Sequence, residues 1–203
     1  MVAARLCWSL LAALALGGCQ YTSIPDPSLS ARDAGYLALV PQVAKGDLNF
    51  ERYQVEDTTG QPPGTVVVDS KQNMLWFVLP DKQAIRYGVS TGRDAYGWTG
   101  TDTIRRGAEW PRWMPPADMV QRWPHLAPVV KAGGLDGGPE NPLGARALYL
   151  YDASGHDTLY RIHGTNEAEQ IGRGVSSGCI RMRNIDVIDL SRRITVGTRV
   201  VVL

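Results

Sequence analysis

A histidine and a cysteine sixteen positions apart, His163 and Cys179, are the residues of this chain whose types and setting could carry covalent chemistry. The stretch from His163 to Met182 reads HGTNEAEQIGRGVSSGCIRM and is rich in small and turn-forming residues. A thiol with a pKa of about 8.5 is mostly protonated at neutral pH and attacks carbonyls slowly. A histidine within hydrogen-bond reach can take that proton and later return it to a leaving amine. Lowering the thiol pKa by about two units corresponds to roughly 2.7 kcal/mol of differential stabilisation of the thiolate. Gly178 lets the backbone approach a substrate closely, and the N–H groups of Gly178 and Cys179 are candidate donors to a developing oxyanion. The plainer reading is a small buried thiol and an unrelated strand-end histidine.

Cysteine usage favours the chemical reading. Of the three cysteines, Cys7 lies in an N-terminal segment in which Arg5 precedes the apolar run Leu6 to Leu16, the pattern of a secretory signal. That run is too short to span a bilayer, which takes about 20 apolar residues. Leu16-Gly17-Gly18-Cys19 resembles a bacterial lipobox, where cleavage precedes the cysteine and the cysteine is acylated. An ordinary signal peptide with an incidental Cys19 is the alternative. Several acyl chains anchor a protein stably where one does not. By the same resemblance Gln20 favours a periplasm-facing position on the outer membrane. Cys179 is then a lone thiol in an oxidising compartment, where cysteines are normally paired or lacking. Such a residue is a candidate reactive group, and one exposed to oxidation.

Composition excludes some partners. Lys+Arg 21 against Asp+Glu 20 gives a net charge of +1, with no basic stripe of the kind that nucleic acid requires. A hydrophobic fraction of 44% is enough for a packed core. One cysteine and three scattered histidines do not make a metal site, so no metal or cofactor is expected, and His125 and His156 receive no role.

The elements that must position the pair can be read in order. Residues 1–18 are the signal, and 19–62 read as a lipidated Cys19 followed by a tether of patchy order. As pure coil that tether would reach about 35–40 Å, although the apolar stretch Tyr36 to Val43 is expected to pack on the domain and shorten it. From residue 63 to 203 the chain reads as one domain. Thr65 to Asp69 and Met74 to Leu79 are strand-like runs around a polar turn, and Ile85, Tyr87 and Val89 alternate in a third strand. Leu148 to Asp152 and Thr158 to His163 form a hairpin that leaves His163 at a strand end. Cys179 to Met182 is a short buried strand with Arg181 turned the other way, and Arg199 to Leu203 closes the set. Asn184 to Ile194 is the clearest helix, with Asn184 as its cap, Val187, Leu190 and Ile194 on one face, and Arg192 and Arg193 in its last turn. Residues 92–147 look irregular, since the prolines of Trp110-Pro111-Arg112-Trp113-Met114-Pro115-Pro116 forbid helix or central strand.

The pattern HGT followed by SSGCIRM and an amphipathic segment resembles the active-site block of the bacterial L,D-transpeptidases, and the resemblance runs from about Pro63 to Leu203. Those enzymes more often carry S-H-G-C, and Ser177 stands where the second histidine would be. The resemblance implies a mainly β, β-sandwich-like catalytic domain with short helices. It implies Cys179 as nucleophile, His163 as general base and acid, and the Gly164 carbonyl as the group that orients the imidazole, in place of the aspartate of a Ser-His-Asp triad. Gly178 and Ser177 fall in the oxyanion and substrate-binding turn. Arg181 either holds a substrate carboxylate or makes a structural ion pair. The segments Trp110 to Pro116 and Asn141 to Gly144 resemble those running beside the cleft, with the tryptophans either walling the substrate or capping the core.

The implied reaction is attack on a diaminopimelate carbonyl of a peptidoglycan stem peptide, loss of the terminal D-alanine, and transfer of the thioester to an amine. A neighbouring stem, a D-amino acid or the lysine of a lipoprotein could accept it, and water would make the site a hydrolase. The rival from another class is an idle, lipid-anchored peptidoglycan-binding protein.

Overall fold

Branched and aromatic runs become strands, and the strands close on themselves. The computed structural model describes residues 21–40, 48–92, 98–176 and 178–203. The N-terminal part holds the strand Thr22–Ser23 (β1), the helix Ala31–Leu37 (α1) and the strand Tyr53–Glu56 (β2). Next come Val66–Asp69 (β3), Met74–Leu79 (β4), Gln83–Gly92 (β5) and Gly100–Glu109 (β6). Two short helices, Ala117–Arg122 (α2) and Ala127–Lys131 (α3), precede Arg146–Tyr151 (β7) and Asp157–His163 (β8). Gly174–Ser176 (β9), Ile180–Met182 (β10), the helix Asn184–Arg193 (α4) and Arg199–Val202 (β11) follow.

The strand order is β1-β2-β5-β10-β8-β7-β6-β11-β3-β4, and β4 pairs again with β5. The mainly β domain is therefore a circuit of strands around one core, antiparallel except where β10 meets β8 and β11 meets β3, with β9 parallel to β5 beside the circuit. Ile85, Tyr87 and Val89 all point into that core, as their alternation required, alongside Ile162, Ile180 and Met182. Burying each such side chain contributes roughly 1.5–3 kcal/mol. Val187, Ile188 and Leu190 press α4 against the same cluster, which sets the helix across β7 and β8.

Three features differ from the sequence reading. Residues 92–147, expected to be irregular, contain β6, a ten-residue strand between β7 and β11. Its sequence, GTDTIRRGAE, buries only Asp102 and Ile104, so it offers no apolar alternation to detect.

The segment before residue 63 is also bound to the domain wherever it is described. Asp33, buried, makes two 2.9 Å bonds to the Arg146 guanidinium and accepts a third, at 2.9 Å, from Trp110 Nε1. Tyr36 meets the Trp110 ring edge-on at 4.9 Å. Arg52, also buried, donates to Asp186 at 2.9 Å and to Asp26 at 2.9 Å, joining the N-terminal segment to α4. Coil dimensions do not apply to a segment held this way.

The third difference is Asn184, whose side chain does not cap α4. The N-cap position is Arg183, without a side-chain cap, and Asn184 turns instead into the loops around His163.

Candidate active site

His163 ends β8 with its ring buried, and its Nδ1 lies 2.6 Å from the Gly164 carbonyl oxygen. A carbonyl can only accept, so Nδ1 carries the hydrogen and the neutral ring presents Nε2 as a lone-pair acceptor. The Gly164 N–H donates to the Arg146 carbonyl at 3.0 Å, extending the β7–β8 ladder one residue past the histidine.

Asn184 fixes the chain beyond. Its Oδ1 accepts from Ala145 N at 2.9 Å and from Thr165 N at 3.2 Å, and its Nδ2 donates to the Thr165 carbonyl at 2.8 Å. The packing is tight enough that a Cβ on Gly164 would sit 2.2 Å from Asn184 Oδ1 and 2.9 Å from Ala145 N. Glycine is required at 164 for space. It is required at Gly144 for space and for its φ of +59°. Sequence reading missed Asn184 in this role because a polar residue at a helix start looks like a cap.

Cys179 stands between β9 and β10. The pairs Ile180–Ile162 and Arg181–His163 put Cys179 opposite Arg161, so Cys179, Arg181, Arg161 and His163 share one face of the β8–β10 pair. The half-buried sulfur lies 4.0 Å from the Leu159 carbonyl and receives the Arg161 backbone N–H. Leu159 itself has φ of +63°, a left-handed conformation costly for a leucine, which turns its carbonyl out of the ladder beside the thiol. No hydrogen bond joins the thiol to the imidazole among the described residues. They are diagonal neighbours on the face they share, about 8 Å apart at Cα from strand spacing and rise.

The turn before the cysteine is tied by Ser176. Its Oγ donates to the Cys179 carbonyl at 2.5 Å and accepts the Gly178 N–H at 3.2 Å. Gly178 has φ of +115°, so the turn needs glycine, but its N–H is engaged inside the turn rather than aimed at a ligand. Ser177 lies outside the described residues, as does Cys19. Arg181 Nη1 donates to Glu167 Oε2 at 3.0 Å and to Gln170 Oε1 at 2.7 Å, the structural ion pair of the two alternatives, and so folds the loop after Thr165 over the sheet. His125 and His156 are exposed, and no hydrogen bond joins either to His163 or Cys179 among the described residues. Among the described residues no group of His, Cys, Asp and Glu could hold a metal.

Electrostatics correct one expectation. Burial pushes the Cys179 thiol up, with only partial compensation from the Arg161 N–H and the charges of Arg161 and Arg181. Burial, then the Arg181 charge, pushes His163 down to about 4, against the Gly164 and Pro142 carbonyls that favour its protonated form. Both shifts favour the uncharged pair. These directions favour a neutral thiol and a neutral imidazole at rest over the thiolate that a lone exported cysteine with a histidine in reach suggests. Such a pair is suited to general-base chemistry, in which the proton would leave sulfur as sulfur attacks and the imidazolium would be stabilised through Nδ1–H by Gly164.

The flanking segment divides its work. Trp110 is a core cap bonded to Asp33, whereas Pro142 contributes a carbonyl to the histidine's surroundings. Asn141 holds that loop by donating to the Pro111, Leu135 and Asp136 carbonyls at 3.0–3.1 Å. Trp98 stacks on Tyr160 at 5.0 Å and 17°.

Comparison with known proteins matches residues 63–202 to the YkuD family, the L,D-transpeptidase catalytic domain. The chain is 37% identical over 139 residues to YqjB of Bacillus subtilis (strain 168), which carries the L,D-transpeptidase name provisionally; the match spans 68% of this chain and 69% of that one. It spans 43% of the length of longer Escherichia coli relatives. Among solved structures, a Brucella melitensis protein described as a probable carnitine operon oxidoreductase is 45% identical, with a TM-score of 0.52 over 77% of this chain and 96% of that one. The catalytic domain of an E. faecium L,D-transpeptidase is 17% identical, with a TM-score of 0.50 over 71% of this chain and 99% of that one, a likeness of fold.

Proposed function

The chain belongs to the L,D-transpeptidase catalytic-domain family, and from that premise we propose that it is a cysteine acyltransferase acting on peptidoglycan stem peptides. Cys179 attacks the diaminopimelate carbonyl of a tetrapeptide stem while His163 Nε2 takes the thiol proton. The tetrahedral intermediate collapses, the C–N bond to the terminal D-alanine breaks, and the imidazolium returns the proton to the departing amine. An amine then attacks the thioester, giving up its proton to the same imidazole, and the thiol is restored. A neighbouring stem, a free D-amino acid or a lipoprotein lysine can serve as acceptor, and water in that place makes the product a tripeptide stem.

The observation that carries this reading is the 2.6 Å contact between His163 Nδ1 and the Gly164 carbonyl. It selects the tautomer whose basic nitrogen can serve a thiol on the face that His163 shares with Cys179. It also supplies the partner that an imidazolium needs in the transition state without a buried carboxylate. The first step is a rotation of the thiol from the Leu159 carbonyl towards Nε2, a rearrangement of the kind that substrate binding commonly completes.

We propose further that Cys19 is lipidated and holds the domain on the periplasmic face of the outer membrane. The packing of residues 21–40 on the domain keeps the catalytic part close to such an anchor. The activity is tested by incubating purified protein with tetrapeptide muropeptides and a glycine or D-methionine acceptor, and following D-alanine release and exchange products. Release that is equal for wild type and Cys179→Ala would refute the assignment. For the anchor, detergent partitioning that is unchanged in Cys19→Ala would do the same.

A further inference from the structure

One cross-strand row on the face that carries Cys179 has no part in the proton transfers above. Arg106 on β6 is registered with Tyr149 on β7, and Tyr149 with Arg161 on β8. The β8–β10 register places Cys179 next, beside Arg161. The Arg106 Cζ lies 3.5 Å from the Tyr149 ring centroid and the Arg161 Cζ 4.4 Å from it. A guanidinium stacked on an aromatic face is held in orientation while its N–H edge stays available to a planar anion.

The two arginines differ in what they already hold. Arg161 makes two bonds to Asp157, at 2.7 and 2.9 Å, and one to the Tyr160 carbonyl at 2.7 Å. Arg106 is exposed, and among the described residues no carboxylate lies within ion-pair distance of it. The Arg106 charge acts on Asp157, the carboxylate that Arg161 already occupies. The row thus presents an oriented cation with its bonding edge unused, on a strand path that leads to the thiol.

Resting on the acyl-transfer reading, we propose that the Arg106–Tyr149–Arg161 row is a carboxylate subsite for the donor peptide, with Arg106 as its anchor. Distance selects which carboxylate. Because its guanidinium lies over Tyr149 on β7, Arg106 stands two strand spacings from β10, or about 10 Å. An extended peptide rises about 3.3 Å per residue, so the anchored carboxylate lies two to three residue lengths from the attacked carbonyl. The carboxylate of the departing terminal residue is one residue away and too close. The ligand class is therefore a peptide with a carboxylate upstream of the reacting residue or on its side chain, not one recognised by its C-terminus alone.

The test uses the full chain and two synthetic tetrapeptide stems, one with that carboxylate and one with a carboxamide in its place. Binding is measured on the Cys179→Ala protein by calorimetry, so that turnover does not intervene. The carboxylate peptide is expected to bind about tenfold more tightly than the carboxamide, as suits one charge-assisted bidentate contact. The preference is expected to fall to about one in Cys179→Ala/Arg106→Ala and to be partly restored by Arg106→Lys. It is expected to persist when Arg199, exposed on β11, is replaced by alanine. No preference, or one that survives Arg106→Ala, overturns the proposal. Acylation of the protein with Cys179 intact distinguishes loss of the subsite from loss of acyl transfer. Equal acylation rates for both peptides refute the subsite and leave acyl transfer standing, whereas acylation by neither refutes acyl transfer and with it the donor subsite.

Discussion

Asn184 Oδ1 accepts the Thr165 N–H at 3.2 Å, one residue beyond the carbonyl that orients the His163 ring. A helix-start side chain therefore sets the position of the histidine through the backbone rather than by touching it. Asn184→Ala would leave the Ala145 N–H and both Thr165 backbone groups without their partner, at about 1–3 kcal/mol for each buried group left unpaired. We expect a lower melting temperature together with a fall in kcat of about tenfold or more at nearly constant KM. A purely structural role predicts the thermal loss with kcat unchanged in the folded fraction.

The pH dependence follows from the direction of the His163 shift. Its pKa falls from the ordinary 6.5 to about 4 on folding, so the unfolded chain binds the proton first as pH drops. Stability is therefore lost between about pH 6.5 and pH 4, by roughly 3 kcal/mol in total from this group. The neutral base persists down to the same limit, so kcat/KM in the folded protein should keep its acid limb below pH 5. Arg181→Gln removes a charge that helps depress His163, and the limb should move upward. An acid limb at pH 6.5 in wild type would contradict the buried environment described here.

Thiol reactivity should be the reverse of what a lone exported cysteine with a histidine in reach suggests. With its pKa raised by burial, Cys179 should react with iodoacetamide at pH 7 more slowly than a thiol of ordinary pKa, and the rate should climb with pH through the alkaline range. A rate above that of glutathione at pH 7 would point to a preformed thiolate.

The N-terminal segment offers a stability test away from the site. Asp33→Ala removes the bidentate partner of the buried Arg146 guanidinium, leaving it the exposed Glu109 carboxylate at 3.3 Å and the Ala145 carbonyl, and removes the Trp110 partner, so a loss of about 3 kcal/mol is expected by denaturant unfolding. Truncation before residue 63 should be at least as damaging, since it removes Asp33 together with the Arg52 bonds to α4. A truncated domain as stable as the full chain would show these contacts to be unimportant.

What could be read in the sequence is what local pattern encodes. Ile85, Tyr87 and Val89 announced a strand by alternation, the hairpin that ends at His163 was marked by its Gly155 turn, and α4 showed an apolar face. β6 was hidden because its outward side chains are polar and its neighbours on both sides complete the burial. Asp33 and Arg52 find partners 113 and 134 residues away, a separation that no window can register. The direction of the thiol shift was likewise out of reach, because desolvation is created only when β8, β9 and β10 close around the sulfur. Ser176 ties the turn before Cys179, a role that depends on backbone geometry at Gly178 and that no local pattern signals.

The central claim is that Cys179 becomes acylated by a stem peptide, and intact-mass spectrometry of the full chain with a tetrapeptide donor reads it directly. Without an acceptor, wild type should gain the mass of the donor minus D-alanine, and an added amine should discharge it. Cys179→Ser keeps the position but needs an alkoxide, so acylation should slow by at least about a thousandfold, roughly 4 kcal/mol of barrier. Cys179→Ala should show no adduct. An adduct of the same mass on Cys179→Ala would place the nucleophile elsewhere and contradict the account.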